Sequence, residues 1–502
     1  MKRLEKIGQS INGVFSDSNS VQNRLEHCKG AYQKILDFYM LQFFKDEWRE
    51  KNNNQDAKLK ILADLMDMAS HDIGHNICSH ALEGLIGEKG AHEIIGERIL
   101  HENEEVIRSI SNIHPDLLKY LDIVKDESYC LHSLKEGNVD FDRADFLSRD
   151  SIYFEVENGF NGEEESIPVI FDKINNNCKI CTVVYKGKKI KCPVYSYEVV
   201  SEIETFLKRR LKCYEKKYTS KENNSYDYMI EKFCEMFLKY GNPNTFPKFK
   251  SFLGHLNNSS TNNMDLNRFL NWNDIKFYNA LFDIVDSYED NNLRNFARLC
   301  IPPVQALIGI VQTRLFPHIN PQIDEDGNEK NLEDEFKDEE DRKFYKRVKK
   351  IVQTKDKNYY QKDMSKECFG VYFTTAKERD SFVDELERKY GICKDVISTL
   401  IEWDISIQPY NPNQPIFILG EDNKIYTFDE YPGRKLNVEP QITYGIFGID
   451  SKCLLEGVSS EKINKLRMAF NSRKNRIGFG IHKTDSRLFS EIIDRKAEID
   501  SI

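Results

Sequence analysis

Residues 59 to 84 read LKILADLMDMASHDIGHNICSHALEG. Apolar side chains recur at spacings of three and four up to Met68, the period of a helix that buries one face. Into this run the chain inserts His71, Asp72, His75 and His80. A buried carboxylate or imidazole needs a partner, because transfer of an unpaired polar group out of water costs several kcal/mol, roughly 2–7 for a neutral group. The rest of the molecule must therefore fold so that other residues meet these four. On a helix His71 and His75 lie one turn apart on the same face, with Asp72 beside them. Imidazole nitrogen and carboxylate oxygen together suit a borderline or hard divalent cation. His71, His75, His80, His92 and His101 are five of the eleven histidines, all within 31 positions. The competing reading is a set of core or capping histidines satisfied by backbone; the density and the embedded Asp72 favour the cation. Two adjacent ligands do not complete a site, so others are expected from elsewhere in the chain.

The remaining sequence sets the frame. At 502 residues with 40% apolar side chains, the chain is long enough for a sizeable core and more than one domain. Charged residues make up 31%, and no run approaches the ~18 consecutive apolar residues of a membrane span. The first residues, MKRLEKIGQSING, lack the apolar segment of a secretory signal. Twelve scattered cysteines point to reduced thiols and a cytoplasmic location rather than a disulfide scaffold. Cys178, Cys181 and Cys192 have the look of three zinc-ribbon ligands, but no fourth is evident, and half-buried thiols are the simpler reading. A net charge of −10 excludes coating of nucleic acid by bulk electrostatics, though not a local basic pocket for a phosphate-rich small molecule.

The pattern predicts a mainly α fold. A helical core with a helical extension spans residues 1–323, interrupted at 168–195 by a β-rich insert whose turn is Lys186-Gly187-Lys188. Residues 324–344 read as an acidic solvated linker; DEDGNEKNLEDEFKDEED carries eleven acidic side chains in eighteen positions. A mixed α+β lobe follows over 345–502, in which KERDSFVDELERKY reads as helix and QPIFILGEDNKIYTFDEY as a hairpin.

The motif HDIGH…SH after an apolar helix resembles the HD superfamily of metal-dependent phosphohydrolases. NRLEHCKG supplies the upstream Arg-x-Glu-His form, giving His27. NVDFDRADFLSRDS resembles the Asp-x-Asp-Arg-x-Asp-Tyr-x-x-Arg-Asp stretch of one branch, the deoxynucleoside triphosphate triphosphohydrolases that include the bacterial dGTPases. The resemblance covers residues 3 to about 235 in a fixed order of motifs. It implies a divalent metal (Mg, Mn, Fe, Co or Zn) on His27, His71, Asp72 and Asp142. It also implies catalytic residues His75, His80, Glu83 and His92, the last from AHE. Gln9 sits fifteen residues before Arg24, as in the family, with Ser10 in place of the usual leucine. RRLKCYEKKYTSKENNSYDYMI brings Arg210, Lys216, Tyr218 and Lys221 into register, with Ser220 replacing a histidine.

The implied reaction is attack at the α-phosphorus, releasing a deoxynucleoside and intact triphosphate, in nucleotide-pool control or defence against phage. His80 and His92 are the candidate proton donors to the leaving 5′-oxygen, since imidazole titrates near neutrality. Arg24, Arg143, Arg210, Lys216 and Lys221 would answer the triphosphate, and Gln9 and Asp150 the sugar 3′-hydroxyl. Phe146 stands where the family has a tyrosine against the deoxyribose, and Asn76-Ile77 where it has a small Gly or Pro pair. A homo-oligomer with an activating nucleotide is expected, and no membrane partner. Two other readings stay open: an HD phosphodiesterase or nucleotidase acting on another nucleotide, and a nucleotide-sensing or nucleic-acid-binding protein. The second draws on residues 462–483, KINKLRMAFNSRKNRIGFGIHK, whose basic residues interleave with Phe470 and Phe479 as a surface for single-stranded nucleic acid.

Overall fold

The computed structural model describes residues 1–9, 22–43, 54–88, 90–158, 165–215, 220–315, 336–356, 359, 368–398, 400–407, 410–436, 441–449 and 458–477. Ser10, Lys216, Tyr218, residues 324–335 and residues 478–483 lie outside them, as does the side chain of Lys221.

The architecture is mainly α with small β elements, as the periodicity predicts. Asn54 opens the helix Gln55–Ser70 by accepting a hydrogen bond from the Ala57 N–H, and this helix packs on Arg24–Phe43. The predicted continuous helix through the histidines does not form. The helix ends at Ser70, and residues 71–82 run as successive turns. The close crossing at Gly74 accompanies the break: a Cβ there would lie 2.0 Å from the His92 carbonyl and 2.3 Å from the Gly96 nitrogen. The turns thus lie directly against the helix Ala91–Glu102. His71 and His75 consequently do not share a helix face, and their side chains go to different clusters.

The expected β insert is shorter than its sequence pattern. Ile167–Asn176 is a helix: Pro168 sits in its first turn, and Ile167, Ile170, Phe171 and Ile174 form one buried face. The hairpin itself is β1 (Cys178–Tyr185) and β2 (Lys188–Ser196), closed by Lys186-Gly187 with φ of 47° and 76°, a type I′ turn. Cys181 and Cys192 are cross-strand neighbours, and Cys178 is buried in the core beneath.

The predicted C-terminal hairpin also forms, as β5 (Phe417–Leu419) and β6 (Ile425–Thr427). It joins β2 in parallel, with Val194, Tyr195 and Ser196 opposite Phe417, Ile418 and Leu419, so one four-stranded sheet draws on residues from both sides of the acidic stretch. A separate antiparallel sheet, ordered β3 (Cys368–Phe373), β7 (Gln441–Ile449), β4 (Ile401–Ile407), is covered by the helices Ala376–Arg388 and Ser460–Asn471. Trp403, Phe447 and Ile477 share a core with Ile77, Cys78 and Leu82 of the histidine turns. The described end of the acidic stretch is structured: Asp338 caps the helix Glu339–Thr354, and Lys6 bonds Asp341 at 2.5 Å. No described helix is long and apolar enough to cross a membrane.

The helix that delivers the His-Asp doublet is itself pinned by charge. Lys135 lies 3.0 Å from Asp64 and 2.6 Å from Asp67, with all three side chains less than a tenth exposed. Tyr39 and Tyr129 donate to the same Asp64 carboxylate, the latter at 2.7 Å. Removing one partner from a buried pair leaves an uncompensated charge and typically costs about 3–5 kcal/mol. Lys135→Met is therefore expected to lower the unfolding free energy by about that much in denaturant titration; a loss under ~0.5 kcal/mol, the range of ordinary surface substitutions, would contradict the assignment.

Candidate metal centre

The four residues expected to share a cation converge from three helices. His27 comes from Arg24–Phe43, His71 and Asp72 follow Gln55–Ser70, and Asp142 opens Phe141–Asn158. His27 Nε2 lies 3.1 Å from His71 Nε2 and 2.8 Å from Asp142 Oδ1. His71 Nε2 is 3.5 Å from Asp72 Oδ1 and 3.6 Å from Asp142 Oδ1. His27, His71 and Asp72 offer ligand atoms within 4.8 Å of one another. Two imidazole nitrogens facing each other at 3.1 Å, flanked by two carboxylates, are a donor set that fits a divalent cation.

The atoms behind the donors fix their direction. His27 Nδ1 faces Asp145 Oδ2 at 2.9 Å, and Asp145 is held by Arg149. His71 Nδ1 faces the Met68 carbonyl at 2.9 Å. Both rings therefore turn Nε2 inward, the role outer carboxylates and carbonyls play in metal sites. Asp72 receives Arg24 Nη1 at 2.6 Å and His75 Nε2 at 3.1 Å. Burial opposes charge on these groups, but the partners win. Burial would depress the His27 imidazole, yet hydrogen bonds to Asp142 and Asp145 raise it to about 10. His71 is likewise opposed by burial and raised to about 9 by the Asp72 charge and the hydrogen bond to Asp142. Against its own burial, Asp72 is held well below the usual carboxylate range by Arg24 and the neighbouring histidines.

His75, His80 and His92 form a second group beside the first. His75 stacks on His92 with ring centroids 4.0 Å apart, and His80 meets both edge-on. Glu83 Oε1 lies 3.0 Å from His80 Nδ1 and 2.6 Å from His92 Nδ1. Glu83 is depressed well below its ordinary range because those two hydrogen bonds outweigh its burial. His75 is pushed well below the ordinary histidine value by burial and by Arg24, so its ring stays neutral.

The expected substrate contacts are placed unequally. Arg24 reaches the centre through Asp72. Arg143 bonds Asp140 and the Gly137 carbonyl. Arg210 is buried, 3.4 Å from the Asn138 carbonyl, with its guanidinium 5.5 Å from the Tyr214 ring. Burial and the charge of Arg143 lower its pKa, which places the two guanidiniums in one electrostatic neighbourhood. Phe146 is half-buried, its ring centroid 6.3 Å from that of His27. Asp150 receives a hydrogen bond from Gln22, whose carbonyl pairs with the Gln9 amide at 3.0 Å. Gln22 and Asp145 are site residues the sequence reading missed. Asp145 had a signal in the Asp-rich motif; an isolated glutamine has none. In the basic C-terminal segment, Phe470 is buried core and is thus closed to base stacking, while Phe479 lies outside the described residues.

No family model matches the chain. A stretch of 215 residues is 25% identical to an HD domain-containing protein of Acanthamoeba polyphaga mimivirus, covering 38% of this chain and 47% of that protein. The chain thus spans about half the length of this curated relative. Among solved structures, a phosphohydrolase from Bacteroides thetaiotaomicron VPI-5482 superposes with a TM-score of 0.57 at 18% identity, over 89% of this chain and 92% of the other. A hypothetical protein from Aquifex aeolicus gives 0.52 at 17% identity, over 93% and 92%. The chain is thus similar over part of its length to an HD domain-containing protein, and its fold is similar to that of a phosphohydrolase.

Proton linkage offers a test of the centre. With imidazole pKa values raised to about 10 and 9, His27 and His71 carry protons at neutral pH when no metal is bound. A cation needs them neutral, so binding releases protons and tightens as pH rises towards 9. Calorimetry with Mn²⁺ at pH 7 in buffers of different ionisation enthalpy should show between one and two protons released. Release indistinguishable from zero would mean the cation binds elsewhere.

Proposed function

We propose that the chain hydrolyses deoxynucleoside triphosphates to deoxynucleoside and inorganic triphosphate. The observation that carries this reading is the adjacency of two clusters: the His27, His71, Asp72 and Asp142 donor set, and the Glu83-joined His80 and His92 beside it. A bound divalent cation would supply an acidified water and a polarised phosphate oxygen at the first cluster.

The chain's own residues do the remaining work. Glu83 accepts hydrogen bonds from Nδ1–H of His80 and His92, which turns each Nε2 outward to give a proton to the leaving 5′-oxygen. Asp145 and the Met68 carbonyl hold a proton on Nδ1 of His27 and His71, so the proton given up on cation binding is the one on Nε2. Arg143 and Arg210, which lie in one electrostatic neighbourhood, would answer the triphosphate. Gln9, Gln22 and Asp150 form a polar edge for the sugar hydroxyl.

A second reading, a phosphodiester or monophosphate substrate, is favoured by one feature: Arg143 is engaged by Asp140 instead of being open to a polyphosphate. Product identity separates the two. Incubation with the four dNTPs and Mn²⁺ or Co²⁺ should yield inorganic triphosphate. Asp142→Ala and Asp72→Ala should each lose essentially all turnover together with most bound metal. Release of monophosphate without triphosphate from the wild type would replace the first reading with the second.

Sugar selection rests on Phe146. A ring without the tyrosine hydroxyl excludes a 2′-hydroxyl by volume alone, and steric rejection of one added hydroxyl is worth about 10²-fold. dGTP should therefore be preferred over GTP by roughly that factor or less. Phe146→Ala should erode the preference more than it lowers turnover of dGTP. An equal loss of kcat/KM on both nucleotides would reduce Phe146 to a packing residue.

A further inference from the structure

The turn that carries the site histidines has backbone groups that its own short turns leave over, and two distant side chains take them. Arg3 donates from Nη1 to the His75 carbonyl at 2.8 Å and from Nε to the Trp272 carbonyl at 2.8 Å. Asp274 accepts the Cys78 N–H on Oδ1 at 2.8 Å. On Oδ2 the same carboxylate accepts the Gly8 N–H and Arg314 Nη1, each at 2.8 Å. The Asp274 and Arg314 side chains are 1% and 0% exposed. Gly8 is pressed onto the guanidinium: a Cβ there would lie 2.3 Å from Arg314 Nη2, so no other residue fits without displacing it.

The groups that Asp274 holds lead directly to the centre. Cys78 and Ser79 are both left-handed, with φ of 59° and 55°. Such non-glycine conformations cost of order 1–3 kcal/mol each and persist only where the surroundings impose them. The Ser79 hydroxyl accepts from Arg24 Nη2 and lies 3.3 Å from the Gln9 carbonyl. Arg24 Nη2 also donates to that carbonyl at 3.2 Å, while its Nη1 holds Asp72 at 2.6 Å. One buried carboxylate, some 200 residues from the doublet, thus grips both ends of the cradle that aims Arg24.

We propose that Asp274, anchored by Arg314 and assisted by Arg3, is a positioning residue for the metal centre, acting through the Cys78-Ser79 turn and Gly8-Gln9 on Arg24 and Asp72. This rests on the metal-centre reading but not on the identity of the substrate. An amide at position 274 keeps the shape yet offers one acceptor oxygen, so either the Cys78 or the Gly8 N–H loses its partner.

The test is Mn²⁺ affinity, followed by electron paramagnetic resonance, on the full chain. Loss of a supporting partner typically weakens metal binding 10–100-fold, and Asp274→Asn should fall in that range. Asp283→Asn is the control. It breaks ion pairs to Lys343 and Arg347 at 2.6 Å on the same helix, Asp274–Ser287, and should leave affinity within about twofold (RT ln 2 is ~0.4 kcal/mol, inside ordinary surface scatter). If Asp274→Asn does not fold, Arg3→Met, which frees the His75 and Trp272 carbonyls and removes the guanidinium over the Phe269 ring without touching Asp274, decides the matter in the same way. Where a triphosphate is turned over, kcat should fall more than KM rises. Wild-type Mn²⁺ affinity in a folded Asp274→Asn overturns the proposal, as does an equal loss in Asp283→Asn. Failure of the wild type to cleave any dNTP would instead strike the proposed function and leave the metal titration to be read on its own.

Discussion

Two imidazole nitrogens 3.1 Å apart, buried between carboxylates, are the constraint on which the rest of this molecule depends. Neutral, both nitrogens present lone pairs to the same point. Protonated, they face one another as cations. Asp72, Asp142 and Asp145 supply the negative charge that compensates the protonated pair, and Arg24 then balances Asp72 from behind; the neutral pair leaves that point open to a cation. The helix before the doublet is locked by Lys135 against Asp64 and Asp67, so His71 and Asp72 emerge at a fixed point. The break at Ser70 then sends His71 towards His27 and His75 towards His92, separating one sequence cluster into two chemical groups.

That division gives the two groups different chemistry. The first group gathers carboxylate oxygen and imidazole nitrogen around one point, the donor types that suit a hard or borderline cation. The second places two imidazoles on a shared carboxylate, the arrangement that fixes a tautomer for proton delivery. The stacking of His75 on His92 at 4.0 Å keeps the two groups in contact, because His75 also bonds Asp72.

Much of this was legible in the sequence because it rests on local pattern. The helical period before the doublet, the Lys186-Gly187 hairpin turn and the four donors each have a signal within a few residues. What failed or was invisible is nonlocal. The helix before His71 stops where the chain goes on to bring Gly74 against the backbone of a later helix, a crossing no window around residue 74 reveals. The parallel pairing of Val194 with Phe417 joins strands more than two hundred residues apart. Asp274 sits in an unremarkable amphipathic helix, and only the fold brings it under Cys78. The helix Ile167–Asn176 was a different kind of miss, since its apolar spacing of three and four was present but masked by the adjacent β-rich composition.

The central claim is the location of the cation. Anomalous diffraction at the manganese edge, from crystals grown with Mn²⁺ and a non-hydrolysable dNTP analogue, locates it without reference to activity. The account predicts a peak bounded by His27 Nε2, His71 Nε2, Asp72 and Asp142, with the α-phosphate beside it and His80 or His92 towards the 5′-oxygen. A peak confined to His75, His80 and His92, or none in either cluster, would contradict it.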